Sequence, residues 1–317
     1  MIRAELDAAG IDDPDLRAAY RSCRKIATQN GRTYFLATRL LAPDQRPAIH
    51  ALYAFARLAD DILDEFNPNL DAAARADRLQ VLSDRFFAGG AQRDEPVLTA
   101  VDHTVHRYQI ASELFVDFLD SMRMDLTVTA YPDRAALNQY MRGSAEVIGL
   151  QVLPILGTVG DPGEAAPYAE ALGRAFQLTN FLRDVDEDLL RDRIYLPADE
   201  LAAHGVDREL MLWCHMHRRT DARVRDALAE QHKITREIYR FAADGIPLLA
   251  ARSRPCVTTA LTLYSEILDR IEDSDFAVFS HRATVGKARR IQVAGSALFE
   301  AWRIRRSVPD HRKPGAA

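Results

Sequence analysis

Apolar residues recur at helical spacing along most of the chain, and short polar, proline or glycine-containing breaks separate the segments. No stretch alternates as a strand does, and no linker or fixed repeat is visible. The pattern favours one all-α domain over residues 1–306, followed by a frayed tail over residues 307–317. The spacing predicts helices over residues 14–29, 44–66, 71–88, 95–107, 110–127, 134–159, 164–190, 207–213, 217–243, 246–251, 255–273 and 284–306.

Two further features of the pattern involve glycine or other small residues. Asn30, Gly31, Arg32 and Thr33 form a turn-like break after the first helix. The helix predicted over residues 134–159 carries glycine, serine and alanine in its middle. Small side chains there permit a second helix to approach closely, and a kink is the alternative interpretation.

Composition narrows the class of protein. The chain has 317 residues, 48% hydrophobic and 27% charged, which is enough for a large core. Its net charge of −5 gives no basic excess of the kind that indicates nucleic-acid binding, so no nucleic-acid partner is expected. Three distant cysteines, Cys23, Cys214 and Cys256, form no metal-binding spacing and no disulfide framework.

The same features predict a location. The first residues lack the apolar core of a signal peptide, and the longest apolar run, residues 147–159, is too short to span a bilayer. A cytoplasmic protein is expected, with peripheral contact at the inner face of the membrane as the alternative. No single segment of the sequence identifies a membrane-binding surface, and the oligomeric state is left open.

An acidic row lies among apolar faces in the helix predicted over residues 164–190. Asn180, Asp184 and Asp188 are four residues apart, so a helix stacks their oxygen-bearing side chains on one face. Gln177 extends this row by one turn. Two carboxylates and an amide at this spacing suit Mg²⁺, which prefers oxygen ligands.

A second acidic pair, Asp60 and Asp64, has the same spacing and continues the apolar face of another helix. A charged surface turn is the alternative for either pair alone. A buried carboxylate without a partner is costly, so two such pairs on inward faces require a shared partner. Metal ions bridging to a polyphosphate would satisfy both.

Arginines accompany both acidic stretches: Arg57, Arg183, Arg191 and Arg193. Guanidinium groups form charge-assisted, often bidentate bonds to phosphate oxygens. A simple salt bridge within one helix, worth only ~0.3–0.5 kcal/mol, is the alternative for each of them. The combination predicts a site that holds a diphosphate through metal ions and arginines.

Departure of diphosphate from an allylic carbon leaves a carbocation, which apolar walls protect from water and aromatic ring faces stabilise. Core packing is the alternative for each aromatic candidate. The sequence contains no glycine-rich phosphate loop, GxSxG, HExxH or dinucleotide fingerprint. The candidates for an aromatic lining are Tyr34, Phe35, Tyr53, Phe176 and Tyr264.

Three stretches together resemble the squalene and phytoene synthases, a family that joins two prenyl diphosphates head to head. They are Y-A-F-A-R-L-A-D-D-I-L-D at 53–64, M-D-L with a following tyrosine at 124–131, and Q-L-T-N-F-L-R-D-V-D-E-D-L-L-R-D-R-I-Y-L-P at 177–197. The last stretch is long and highly specific. The resemblance covers about residues 20–290.

The resemblance implies an isoprenoid-synthase fold, a helical bundle around a central cavity. It implies that Asp60 and Asp64 bind Mg²⁺ from one wall, with Mn²⁺ as an alternative metal. It further implies that Asn180, Asp184 and Asp188 bind the metal from the other wall. The four aspartates and Arg183 would be catalytic. Residues 30–33 match the family's flap over the diphosphate. Further matches to its substrate contacts are Tyr53, Arg57, Gln177, Arg183 and, more weakly, Tyr264.

The implied reaction has two steps. One prenyl diphosphate ionises and its cation is attacked by the double bond of the second, giving a cyclopropylcarbinyl diphosphate. That intermediate ionises and rearranges, and proton loss gives a conjugated triene. Squalene synthases instead quench the last cation with hydride from NADPH.

The run G-S-A-E-V-I-G-L-Q at 143–151 resembles phytoene synthases most closely. The expectation is therefore a 15-cis-phytoene synthase acting on geranylgeranyl diphosphate without NADPH. Two positions depart from the family pattern. Glu146 replaces a small residue, and it either lies outside the cavity or alters its depth. Asn30 and Gly31 replace the His-Ser often found in the flap.

Three rival interpretations remain open at this point. The same scaffold makes squalene or dehydrosqualene from farnesyl diphosphate. A non-catalytic relative would act as a scaffold or assembly protein, although five aligned metal ligands argue against that. A class I terpene cyclase would release a cyclic product from one substrate.

Overall fold

The computed structural model of the chain describes residues 2–64, 71–90 and 94–307, and only the backbone of Arg32, Thr33, Asp64, Glu300 and residues 305–307. In these ranges the structure is all-helical, with two isolated β-bridges and no sheet. The predicted fold class is therefore confirmed. The α-helices are α1 (Ile2–Ala8), α2 (Pro14–Asn30), α3 (Arg32–Thr38), α4 (Arg46–Asp64), α5 (Ala72–Ala88), α6 (Pro96–Tyr108), α7 (Glu113–Met124), α8 (Arg134–Met141), α9 (Val147–Leu156), α10 (Pro162–Arg183), α11 (Val185–Leu190), α12 (Ala198–Ala203), α13 (Arg208–His217), α14 (Ala222–Asp244), α15 (Arg254–Asp273) and α16 (Lys287–Ser307).

Aspartate caps begin many of these helices. An aspartate side chain before the first turn accepts a hydrogen bond from a backbone N–H two or three residues later, which satisfies a donor that the helix leaves unpaired. Each cap of this kind contributes about 1 kcal/mol. The capping residues are Asp13, Asp71, Asp133, Asp161, Asp207 and Asp221.

Several predicted boundaries are corrected by local backbone geometry. The helix predicted from residue 217 begins at Ala222, because Arg218 is left-handed (φ 53°) and Asp221 caps the next turn. The segment 246–251 is only a 3₁₀ turn (Ile246–Leu248). The helices α1, α3 and α12 were not predicted. The predicted end of α4 at residue 66 and the tail after Ser307 lie outside the described residues.

Two hydrophobic cores fill the molecule, and α10 connects them. The first core is built mainly from α2, α4, α6, α7 and α9, and the second mainly from α8, α10, α14 and α15. Leu172 on α10 packs against both cores. Helix α10 therefore lies at the centre of the fold, and its two halves line the two cavities described below.

The helix predicted over residues 164–190 is interrupted at Asp184, whose backbone leaves the helical region (φ −104°, ψ 13°). Two bonds continue the helical pattern across the break. The Asp184 N–H donates to the carbonyl of Asn180, and the Asp188 N–H donates to the carbonyl of Asp184, both at 2.8 Å. The three side chains therefore stay about one turn apart, as the spacing predicted.

The segment predicted as one helix over 134–159 contains a π-helical turn (Arg142–Glu146) between α8 and α9. Glycines let this segment touch its neighbours. A Cβ on Gly143 would lie 2.0 Å from the Asp117 carbonyl oxygen, and one on Gly149 would lie 2.2 Å from the Ala169 carbonyl oxygen. The predicted close approach of helices is confirmed. No helix in the described part of the chain is long and apolar enough to cross a membrane.

Candidate active site

A cavity of about 570 Å³, here called the polar chamber, lies between α4, the π-helical turn, α10 and α11. Most of the side chains predicted from sequence to form a site line this chamber, although they come from distant parts of the chain. Those brought together are Asn30, Tyr53, Arg57, Asp60, Gln177, Asn180, Arg183, Asp184, Asp188, Arg191, Arg193 and Tyr264.

The predicted flap is more helical than expected. Only Gly31 separates α2 from α3, so the predicted break over four residues is too wide. A Cβ on Gly31 would lie 2.8 Å from the Tyr53 ring, which shows how closely this link approaches the chamber wall. The side chains of Arg32 and Thr33 lie outside the described part of the structure.

Helix α4 contributes an acidic and a basic group to the chamber. The Arg57 guanidinium bonds the Asp61 carboxylate at 2.5 Å, rather than Asp60. Its Nε is buried and has no hydrogen-bond partner among the described atoms, so one donor is available for a ligand. Asp60 lines the chamber, and the Asp64 side chain lies outside the described part.

The opposite wall is formed around the break at Asp184. Arg183 donates two hydrogen bonds to the Asp184 carboxylate, at 2.8 and 2.5 Å, and Arg282 donates a third at 2.7 Å. Burial opposes ionisation of Asp184, but these hydrogen bonds outweigh it and lower the pKa of the carboxyl. Asp184 is therefore ionised at neutral pH.

Asp188 and Asn180 receive less compensation. Burial, reinforced by the Asp184 carboxylate, raises the pKa of Asp188 to about 7, although Arg191 and Arg193 act in the opposite direction. The Asn180 Oδ1 is buried without a hydrogen-bond partner in the described structure. Buried oxygens short of positive charge are suited to a hard divalent cation, so this donor set fits Mg²⁺.

The described residues contain no group of three or more His, Cys, Asp and Glu side chains that could hold a metal ion by themselves. The amide of Asn180 falls outside that set, as does the Asp64 side chain. The metal site predicted from sequence therefore stays a prediction.

Several chamber residues had no predicted role. The Asp125 carboxylate accepts hydrogen bonds from Tyr140 Oη (2.7 Å) and Tyr195 Oη (3.2 Å). Arg193 donates to the Asp125 carbonyl at 2.7 Å. Asp125 and Tyr195 lie inside the motifs quoted above, which is the only sequence signal for them. Arg282 carries no such signal.

An apolar tunnel of about 180 Å³ continues from the chamber. Tyr34 and Tyr264 border both cavities. Phe176 lines the tunnel and packs on Tyr264, with ring centroids 4.4 Å apart. Three of the predicted aromatic residues thus lie at the junction or in the tunnel, whereas Phe35 stacks on His50 instead.

Glu146 lies outside both cavities. Its buried carboxylate bonds Arg174 of α10 at 2.5 Å and lies 3.6 Å from Arg142. The first of the two alternatives for this residue is therefore correct. Glu146 connects the π-helical turn to α10, and neighbouring residues line the tunnel instead of it.

This fold is known among solved proteins. The crystal structure of a dehydrosqualene synthase in complex with ligand superposes with a TM-score of 0.79 at 25% identity, covering 92% of this chain and 98% of that one. The architecture is thus that of the isoprenoid synthases.

The family follows from sequence comparison. The family model described as Squalene/phytoene synthase matches residues 27–289. The phytoene synthase of Arthrospira platensis is 35% identical, with 84% of this chain and 88% of the relative covered. The chloroplastic phytoene synthase of Narcissus pseudonarcissus is 34% identical over 87% of this chain. The chain spans 65% of that plant relative's length. The chain belongs to the squalene/phytoene synthase family.

Proposed function

We propose that this chain is a 15-cis-phytoene synthase, which condenses two geranylgeranyl diphosphates head to head. The observation that carries the proposal is the junction of the polar chamber with the apolar tunnel at Tyr34 and Tyr264. A prenyl diphosphate has the same division into a charged head and an apolar chain. The curated relatives named phytoene synthase support the choice of product.

Mg²⁺ is the proposed metal, with Mn²⁺ as a substitute. Asn180, Asp184 and Asp188 would hold it on one wall, and Asp60 and Asp64 on the other. When bound, the metal neutralises the charge that accumulates on a departing diphosphate. On the first of these walls, Arg183 forms an ion pair with the Asp184 carboxylate.

The chain's own side chains supply the rest. Arg57, Arg183, Arg191 and Arg193 would bind diphosphate oxygens, and the buried Arg57 Nε has no hydrogen-bond partner among the described atoms. The tunnel would exclude water from the carbocation, and the rings of Tyr34 and Phe176, which line it, would stabilise the positive charge. Over both steps, two diphosphates and two protons leave.

A second candidate is a synthase of squalene or dehydrosqualene that uses farnesyl diphosphate. The likeness to a solved dehydrosqualene synthase favours it. The two candidates share the chamber and differ in the length of apolar chain that the tunnel accepts. A cytoplasmic location is proposed for either.

The test is a product assay with purified protein and Mg²⁺, without NADPH. Geranylgeranyl and farnesyl diphosphate are supplied separately, and products are identified by mass and absorbance. The variants are Asp60→Ala and Asp184→Ala. The matched control is Asp226→Ala, because Asp226 is an exposed helical aspartate outside both cavities.

A C40 triene from geranylgeranyl diphosphate, lost in both variants and kept in the control, is the expected result. A C30 product from farnesyl diphosphate alone would replace the proposal by the second candidate. A single-substrate cyclic product would indicate a terpene cyclase. No diphosphate release from either substrate would overturn the enzyme assignment and favour a scaffold role.

A further inference from the structure

Helix α16 is apolar on two sides. Ala294 and Ala301 are buried where the helix packs on α15 and α3. Four large apolar side chains of the same helix are exposed. Their exposed fractions are 68% for Ile291, 48% for Leu298, 67% for Phe299 and 49% for Trp302.

These four residues form one stripe along the helix. Ile291, Leu298 and Trp302 are spaced by seven and four residues, which places them on one face. Phe299 lies beside them and stacks on Trp302, with ring centroids 6.1 Å apart. A surface helix normally presents polar residues on the face that it turns away from the core. This apolar stripe, residues 291, 298, 299 and 302, therefore requires an apolar neighbour.

Charge indicates which neighbour fits. Within Lys287–Ser307 the sequence has six basic residues and one glutamate, a net charge of +5, in a chain whose total is −5. Helices that combine a basic side with large apolar and aromatic residues bind the interface of anionic bilayers. Contact with a second copy is less suitable, because a two-fold dimer would bring this helix close to its own positive charge.

The position of α16 gives contact with a bilayer a purpose, and that purpose rests on the proposed function. Helix α16 packs on α3 and α15. Those two helices carry Tyr34 and Ala37, and Ala260 and Tyr264, all of which line the tunnel. A C40 hydrocarbon made in the tunnel is insoluble in water and needs an apolar phase at its exit.

We propose that α16 docks the protein on an anionic phospholipid bilayer, with the apolar stripe inserted at the interface. The helix lies on the membrane surface, and the tunnel-lining helices α3 and α15 are brought next to lipid. The partner of the apolar stripe is thus a bilayer, and the product passes from the tunnel into this bilayer without crossing water.

The first experiment is flotation with vesicles of phosphatidylcholine and phosphatidylglycerol, compared with phosphatidylcholine alone. The full chain is expected to float with the anionic vesicles, less at high salt. Phe299→Glu should weaken binding at least tenfold. Met216→Glu is the matched control, since Met216 is 69% exposed on α13. Circular dichroism establishes that both variants are folded.

A second measurement locates the contact. The chain has two tryptophans, so Trp213→Phe leaves Trp302 as the only reporter. Anionic vesicles should shift Trp302 emission to the blue and expose it to quenching by brominated lipid. The complementary variant Trp302→Phe, which reports on Trp213 of α13, should show neither change.

Three results would overturn the proposal. They are no binding of the full chain to anionic vesicles, equal binding by Phe299→Glu, or a blue shift confined to Trp213. Self-association that Phe299→Glu abolishes, without vesicle binding, would assign the stripe to a second copy. Binding is scored without substrate, so a chain that docks but makes no C40 product would refute the proposed function and leave the docking intact.

Discussion

Adding one methyl group at Gly143 tests the contact between the π-helical turn and α7. In Gly143→Ala the new Cβ would lie 2.0 Å from the Asp117 carbonyl oxygen and 2.3 Å from Ser121 Oγ. Ordinary contact begins near 3.4 Å, so the two segments must separate by more than an ångström at this point. The obstacle at Asp117 is helix backbone, which rotamer changes cannot relieve.

The magnitude follows from two opposing effects. Overpacking of this kind costs about 1–3 kcal/mol, and a backbone obstacle places it at the upper end. Alanine recovers about 1 kcal/mol of helix preference over glycine. We expect Gly143→Ala to lower the free energy of unfolding by about 2 kcal/mol. Activity should fall as well, because Ser121 Oγ donates to the carbonyl of Tyr140, whose hydroxyl bonds Asp125 in the chamber.

The assay is urea unfolding followed by far-ultraviolet circular dichroism. Gly295→Ala supplies the same chemical change at an exposed position of α16, where a Cβ would meet nothing within 4 Å. That control should be as stable as the unchanged chain, or up to about 1 kcal/mol more stable. A Gly143→Ala variant that unfolds at the same urea concentration as the unchanged chain, or higher, would refute the close contact.

Three further predictions test other parts of the molecule. Glu146→Gln should lower the free energy of unfolding by about 1–2 kcal/mol, because it weakens the bond to Arg174. The length of the product should not change. A shifted product length in the product assay would instead place Glu146 in the cavity. His50 is buried, both ring nitrogens lack partners in the described structure, and burial, with nearby Arg24, Arg46 and Arg39, lowers its pKa to about 3. Burial of the neutral form therefore contributes stability that is fully present above pH ~6.5 and is lost as the pH falls toward 3, with about 2 kcal/mol lost by pH 5. His50→Leu should remove this pH-dependent component, which urea midpoints measured at pH 7.5 and pH 5 would show. Equal pH dependence in both proteins would contradict this expectation. Asn180→Leu should weaken Mg²⁺-dependent binding of inorganic diphosphate in calorimetry about tenfold or more, whereas unchanged binding would remove Asn180 from the metal site.

The spacing of residues within one helix predicted part of the candidate site correctly. Asn180, Asp184 and Asp188 were expected on one helix face, and they share the chamber even though the helix breaks at Asp184. The expectation survived because the hydrogen bonds on both sides of the break keep helical spacing. A pattern of residues four apart tolerates one irregular residue when the backbone bonds around it persist.

Contacts between distant segments were not predictable in the same way. Asp125 and Arg193 meet because Ala130 and Ile194 form an isolated β-bridge, which no local pattern indicates. Arg282 reaches Asp184 across 98 residues of sequence. The Glu146 side chain bonds Arg174 from a π-helical turn, which helical spacing in the sequence did not predict.

Two glycines in the tunnel wall restrict how the proposed activity could shift to a new substrate length. Gly149 and Gly173 line the tunnel, and side chains on them would collide with the carbonyls of Ala169 and Ala145. A side chain at either position can therefore be accommodated only if a helix moves. Under the proposed function, a change in the length of prenyl chain that the tunnel accepts is expected at other lining positions before it occurs at these two glycines.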